Sequence, residues 1–378
     1  MNPLSEVTLL VGPSIAAKTR NAAIDHIRIV LTAIVIFHHV AIVYGGSGGW
    51  YWREQPNASN EALLMFNAID QAYFMGFFFL LAGYYTPSSF ERKGASRFMG
   101  ERFLRLGVPL IVYFFVLAPF TVALARTSEG FAFWQGWWEM TRPGVFGPGP
   151  LWFAEALLLF AGGYAIWRKL RPVPDTVTDL PGFGALALTA VVLGAASFLV
   201  RLVMPVGKEL AWMQLGYFPC YIYLFAAGCA TSRSHLLEQI TFRQARPWMV
   251  VSLLAILTLP AVIFLHLGQG GFEGGVSSRA LYYALWDPLV AWGVILGMLW
   301  AARTHWSHAT PLTTWLARNA YGAYIVHPPV VVGASLVAAT WMLNPLAKFV
   351  VVGTVACVGS FLVATVLRAI IPGARQIL

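Results

Sequence analysis

An arginine followed eleven residues later by a histidine, Arg28 and His39 in RIVLTAIVIFHH, is the spacing in this sequence with the clearest chemical potential. The residues between them are apolar except Thr32 and His38. On a helix rising about 1.5 Å per residue the two side chains are roughly 16 Å apart, about half the hydrocarbon thickness of a bilayer. A guanidinium at one membrane face can hold an anion, and an imidazole at depth can act as a general base or a nucleophile. Adjacent helical residues point about 100° apart, so only one of His38 and His39 can face a given site. A snorkelling arginine and two histidines bonded to neighbouring helices would leave the same pattern, so the rest of the chain must decide.

Other polar residues fall in further apolar stretches. Asn67, Asp70 and Gln71 share one; Glu155 follows PLWFA at the start of another; Tyr321, Tyr324 and His327-Pro328-Pro329 lie in a third. Glu155 and His39 are expected at similar depth below the same membrane face, where a carboxylate could orient an imidazole acting as base. The paired prolines are expected to break the backbone ladder at depth, which is tolerated beside a cavity. In ERKGASRFMGERFLRLGVP, Arg102 and Arg105 are three apart and share a helical face, offering two rigid donor forks suited to phosphate. Arg97 is a further candidate in that stretch, while Arg92 and Lys93 read as contacts to anionic lipid. Cys220, Cys229 and Cys357 lie in apolar segments without CxxC spacing or an adjacent histidine, so they read as core residues, and no metal site is expected.

These residues need elements to hold them, and composition specifies which. With 58% hydrophobic and only 11% charged residues in 378, the chain is no soluble globule, and a bundle of membrane helices follows. Ten apolar segments are long enough to span: 26–44, 61–85, 106–126, 150–168, 183–204, 212–231, 246–266, 279–302, 316–338 and 347–370. Fifteen Trp and fourteen Tyr suit aromatic belts at two interfaces. The formal charge of +9 does not point to nucleic acid, because it is distributed by loop. Arg53, Arg126, Arg142, Arg201, Lys208, Arg279 and Lys348 fall on one side, and the other 18 of the 25 Lys and Arg fall on the opposite side. That asymmetry predicts ten spans with both termini cytoplasmic. The expected division is a cytoplasmic segment 1–25, an all-α polytopic membrane domain 26–370 and a cytoplasmic tail 371–378. No internal repeat or appended soluble domain is apparent, so the chemistry is expected inside the membrane body. The first outer loop, GGSGGWYWREQPNASN, reads as flexible and aromatic, suited to sugar contact or simply to the interface, and FAFWQGWWEM reads as an interfacial belt. Residues 1 to 20 hold an apolar patch too interrupted by Gly and Pro for a signal peptide.

Taken together, several of these motifs resemble the acyltransferase-3 family of membrane acyltransferases. The resemblance is carried by Arg28 and His39 preceded by Asp25, by the RxxR of Arg102 and Arg105, by the GPLWFxE that ends in Glu155, by the YFPxYxxLFxxG from Tyr217 to Gly228, and by YGAYIVHPP at Tyr321. It runs over nearly the whole chain, and more narrowly it is similar to the branch described as glucan-biosynthesis-protein-C-like.

The resemblance implies transfer of an acyl group, acetyl or succinyl, from a cytoplasmic acyl-CoA to a hydroxyl of a cell-envelope carbohydrate, in the cytoplasmic membrane of a bacterium. It implies His39 as the catalytic histidine, Arg28 as its motif partner, Arg102 and Arg105 as donor contacts, and Glu155 as a looser match to an acid of the fourth span. Acyl-CoA is then a substrate, and no permanently bound cofactor is expected. His39 could serve as general base or take the acyl group itself, and Trp152 is a candidate for stabilising the oxyanion. His38, Asp70, Tyr217 and His327 are further site candidates. A transporter of an envelope precursor is the rival reading, since broken helices and midplane charges serve transport as well, although no inverted repeat is apparent. A scaffold for glycan assembly would have no need of buried His and Glu. The acyl group, the acceptor and the oligomeric state are not readable from the sequence.

Overall fold

The computed structural model describes residues 21–139, 147–171 and 179–377. The N-terminal patch, Lys18, Arg20 and Arg142 lie outside the described residues, as do most of the Gly/Pro turn that precedes span four and the segment 172–178.

Among the described residues the architecture is all-α, without a strand. Eight helices are long and apolar enough to cross a membrane: α1 (Ala22–Val43), α2 (Glu61–Glu129), α3 (Gly149–Leu170), α4 (Phe183–Val203), α6 (Phe242–Phe264), α7 (Ser278–His305), α8 (Pro311–Ala338) and α9 (Pro345–Ile370). A shorter apolar helix, α5 (Leu215–Thr231), lies between α4 and α6. At 69 residues α2 is far longer than one span. Gly94 breaks it with φ 69° and ψ 167°, and each limb on either side exceeds the roughly 20 residues that a crossing requires. All ten apolar segments expected from the sequence therefore fall in helices. The stretch expected to be a loop between spans two and three is instead helical except at Gly94, with π-helical turns at Phe103–Gly107 and Tyr113–Leu117. The protein is a multi-pass membrane protein.

Local chemistry sets the helix starts. Asn21, Asn60, Ser277, Thr310 and Asn344 each accept a hydrogen bond from the backbone N–H three residues on, satisfying one of the amides that a helix N-terminus leaves without a partner. Since lipid is as apolar as leucine, association of the helices rests on close packing and polar contacts rather than on burial alone. At Gly83 of α2 and Gly228 of α5 the backbones touch: an added Cβ would sit 2.1 Å from Phe225 O and 2.1 Å from Leu80 O respectively. This contact is the physical content of the glycine that ends the YFPxYxxLFxxG stretch.

Burial ranks the helices by position. In α7 and α8 67% and 61% of the apolar window is buried, against 17% in α6, which presents Leu253, Leu254 and Leu257 outward. Helix α1 is central too, packing against α2, α7, α8 and α9. The helices carrying Arg28, His38, His39, Asp70 and His327 thus meet in the interior.

Two polar assemblies hold the ends. At one end the basic residues gather: Arg233 donates to Glu91 (2.9 Å), Arg303 donates to Gln239 O and Ile240 O, and Arg368 donates to Arg318 O. At the other end the first loop is pinned and not free as the sequence implied. Lys348 pairs with Glu54 (2.5 Å), Arg53 donates to Gly46 O (2.9 Å), and Asn60 N donates to Gly45 O (2.9 Å). The short helix Phe133–Glu139 exposes Trp134 and Trp138, as an interfacial belt requires.

Candidate active site

Helix α1 separates two clusters, one around Arg28 and one around His38 and His39. At the arginine end, Arg28 Nη1 lies 3.9 Å from Asp25 Oδ1, its guanidinium stands 6.0 Å from the Tyr85 ring, and half its side chain is exposed. Arg102 donates to Thr86 Oγ1 (3.1 Å) and lies over the Phe98 ring at 5.3 Å. Arg28 and Arg105 are both within electrostatic reach of Arg102. Among the described residues no carboxylate pairs with Arg102 or Arg105, whereas Arg28 has Asp25 beside it, so Arg102 and Arg105 repel each other without an acidic partner of their own. An anion is the group that would relieve them. Arg97 is placed differently: it is largely exposed and pairs with Glu101 (3.2 Å), which Lys93 also bonds.

From this end a row of rings runs along α8. Tyr321, Tyr324 and His327 follow at i, i+3 and i+6 on one face, covering roughly 9 Å of rise. Tyr321 donates to Arg105 O (2.8 Å) and stacks on Tyr324 at 6.5 Å between centroids; Tyr324 donates to Pro150 O and lies 5.8 Å from His327. The prolines do not break this helix, contrary to expectation, since α8 runs through Pro328 and Pro329. They remove donors instead. Pro328 has no N–H to offer Tyr324 O, and His327 Nδ1 bonds that carbonyl at 2.6 Å. A carbonyl can only accept, so His327 carries its proton on Nδ1 and keeps the lone pair on Nε2, which is enclosed without a partner.

At the far end of the row lies His39. Its ring stacks on Trp50 at 4.0 Å and 15°, and on His327 at 5.1 Å and 14°. Trp50 arrives from the first loop, whose next residue, Tyr51, bonds Tyr113 (2.8 Å) across Gly149. Only glycine fits there: φ is +49°, and a Cβ would lie 2.2 Å from the Tyr51 hydroxyl. His39 Nδ1 is enclosed and unpartnered, while the ring as a whole stays partly exposed. His38 turns the other way, toward α2, where Nδ1 lies 2.7 Å from Asp70 Oδ1 and 3.0 Å from Asn67 Nδ2, and the ring packs on Phe74 at 5.0 Å. Asn67 Nδ2 donates to His38 O at 3.0 Å.

The carboxylate that meets an imidazole is therefore Asp70, on His38. The expected meeting of Glu155 with His39 is not formed: no hydrogen bond or ion pair joins Glu155 to either histidine, and α3 packs on α2 rather than on α1. Equal depth does not fix the direction in which a helix faces. Trp152 stacks on Tyr221 (5.9 Å), whose hydroxyl accepts from Gln71 (3.1 Å), one residue beyond Asp70. Tyr217 belongs elsewhere, in a buried cluster where Arg201 bonds Asp287 (2.5 Å) and its guanidinium lies between Tyr217 (4.8 Å) and Tyr283 (5.3 Å). Among the described residues no three His, Cys, Asp or Glu side chains group as metal ligands. From the sequence Asn67 is noted beside Asp70 without a role, and Trp50 is not singled out. The signal for Asn67 was there in its i, i+3 spacing to Asp70 within an apolar span, whereas nothing local marks Trp50 as folding back.

The structure thus has an arginine cluster in which only Arg28 has a carboxylate beside it, and a histidine cluster, with one row of rings between them. Residues 21–368 match the profile of the acyltransferase-3 family, described as an acyltransferase domain. The chain belongs to that family. No curated protein and no solved structure gives a significant match. For a membrane acyltransferase the geometry divides the work: cations at one end suit a donor's phosphates, and imidazoles with free lone pairs suit chemistry at an acyl carbon.

Proposed function

We propose that this protein is an O-acyltransferase of a bacterial cytoplasmic membrane, moving an acyl group from cytoplasmic acyl-CoA to a hydroxyl of a cell-envelope or exported carbohydrate. Acetyl is the favoured group, with succinyl the alternative. One observation carries the reading: Arg28, Arg102 and Arg105 form a cation cluster, two of them without carboxylate partners, and the Tyr321–Tyr324–His327 row leads from it to His39. The pyrophosphate of CoA binds the cluster through charged, forked hydrogen bonds, and the pantetheine arm follows the row for the roughly 16 Å to His39. His39 then acts on the acyl carbon or on the acceptor hydroxyl, with Trp50 excluding water from one face of its ring. A carbohydrate acceptor enters at the histidine end, beside the aromatic loop of Trp50, Tyr51 and Trp52.

The test is release of CoA thiol from acetyl-CoA by the purified protein in lipid nanodiscs, together with mass spectrometry of envelope glycans from cells with and without the protein. Thiol release and a glycan population heavier by an acyl group are expected. Transport of an unmodified glycan with no thiol release would overturn the reading.

A further inference from the structure

We propose that His38 is a second catalytic residue, held by Asp70 and Asn67, which receives the proton of the acceptor hydroxyl while its neighbour His39 carries the acyl group. This inference rests on the acyltransferase reading above and chooses between the two roles left open for His39.

Asp70 is deeply enclosed. Its side chain is 2% exposed, and among the described residues its one ion-pair partner is the His38 imidazole. A carboxylate enclosed in this way is costly unless hydrogen-bonded, so its pull falls on His38 Nδ1. The second oxygen, Oδ2, is buried and accepts no side-chain hydrogen bond. His38 Nδ1 also lies 3.0 Å from Asn67 Nδ2, but the buried carboxylate is the stronger partner. The proton is therefore placed on Nδ1 toward Asp70 and the lone pair of His38 on Nε2, and the side chain keeps 10% of its surface open. Asn67 fixes the backbone of the same residue by donating to His38 O, and it is itself wedged in place: a Cβ on Gly46 would lie 1.9 Å from Asn67 Oδ1. The ring is thus held by two residues of α2, Asp70 and Asn67, the arrangement expected of a base with its orienting acid.

His39 is built differently. Among the described residues no carboxylate pairs with it, and Trp50 and His327 lie nearly parallel to its ring. A proton taken by His38 is balanced at 2.7 Å by Asp70, and one taken by His39 has no counter-charge. Adjacent residues point about 100° apart on a helix, from which only one is expected to face a given site. The rings nevertheless stand edge to face at 87° with centroids 5.3 Å apart, so one hydroxyl group between them can reach both.

The reaction then balances in two halves. A ring nitrogen of His39 attacks the thioester carbonyl, the C–S bond breaks, and the departing thiolate takes the proton from the acylated ring, leaving CoA thiol and acyl-His39. The acceptor oxygen next attacks the acyl carbon as its proton passes to His38 Nε2. The C–N bond breaks, and the proton moves from His38 to His39, restoring both rings. The sum is acyl-CoA plus alcohol giving ester plus CoA thiol, with no oxidant or reductant.

The experiment separates the halves in the full chain in nanodiscs, using [14C]acetyl-CoA as donor and water, then octyl β-glucoside, as acceptor. The parent should release one thiol per protein in a burst and then turn over. His38→Gln and Asp70→Asn should keep the burst and the protein-bound label, with turnover reduced about 10²-fold or more. Asp70→Asn keeps the size of the side chain, so it carries the test if His38→Gln fails to bind CoA. Turnover at the parental rate in variants that bind CoA would overturn the proposal, and so would loss of the burst in those variants. No burst and no turnover in the parent would instead overturn the acyltransferase reading on which it rests.

Discussion

His39 lies flat against Trp50, with ring centroids 4.0 Å apart and planes 15° from parallel, so a residue of the first loop forms one wall around the histidine. The wall is fixed at its far end by the Lys348–Glu54 pair. His39→Ala is expected to abolish acyl transfer while leaving CoA binding nearly intact, because the imidazole acts on reacting atoms and not on the donor's phosphates. Trp50→Phe keeps a ring in place and should retain most activity, whereas Trp50→Ala should lower kcat by about 10²-fold through misplacement of His39. Acylation of acceptor at matched protein levels measures both; transfer by His39→Ala would remove the catalytic core of this reading.

Donor affinity should follow the arginines. Arg102→Ala with Arg105→Ala is expected to weaken acetyl-CoA binding by about 1.5–3 kcal/mol for each charged hydrogen bond lost. Lysine at both positions should restore only part, since a point charge does not reproduce the forked geometry. Arg97→Ala should leave affinity unchanged, because that side chain is exposed and engaged with Glu101. Titration with acetyl-CoA in nanodiscs decides each case, and parental affinity in the double alanine variant contradicts the assignment.

Glu155 shows where the sequence stopped being legible. Apolar length identified the membrane helices, because that signal is local and additive, but not the helical stretch that joins the second and third segments. Depth was legible too, which is why Arg28 and His39 fall at opposite ends of one site. Rotation about each helix axis was not: it depends on contacts such as Gly83 against Phe225 O, which only the assembled bundle contains. Asp70 therefore holds the place next to an imidazole that depth alone assigns to Glu155. From sequence depth alone Glu155→Gln would cost 10²- to 10⁴-fold in rate, as loss of an orienting carboxylate does. From the structure it should change acylation by no more than the about 0.5 kcal/mol typical of a site away from such partners. A loss of about 10²-fold in initial rates would restore Glu155 to the site.

The Arg201–Asp287 pair should matter for folding and not for turnover. Both side chains are at most 5% exposed, Arg201 also donates to Gly216 O (3.1 Å), and together they tie α4, α5 and α7. Removing one partner leaves the other buried without compensation, which costs about 3–5 kcal/mol. Asp287→Ala is accordingly expected to lower the unfolding temperature in detergent markedly, with kcat of the surviving protein unchanged. Unaltered thermal stability would mean that the pair is solvated in the membrane-embedded protein.

The direction of transfer depends on which end of the bundle faces the cytoplasm, and a labelling experiment reads that directly. The basic residues gather at the end of Arg102, Arg233 and Arg303, and loops rich in Lys and Arg remain cytoplasmic. Ser47 lies beside Trp50 at the histidine end, and Ser96 lies just past the Gly94 break at the arginine end; both are exposed. Neither side chain caps a helix, so cysteine at either place should leave the fold intact. In intact cells a membrane-impermeant maleimide should modify Ser47→Cys and spare Ser96→Cys until the membrane is opened. That result places the arginine cluster where CoA is found and the Trp50 loop where an exported glycan would arrive. The opposite pattern would put the cation cluster on the side without acyl-CoA, and the donor role of Arg102 and Arg105 would have to be abandoned even if both residues proved essential.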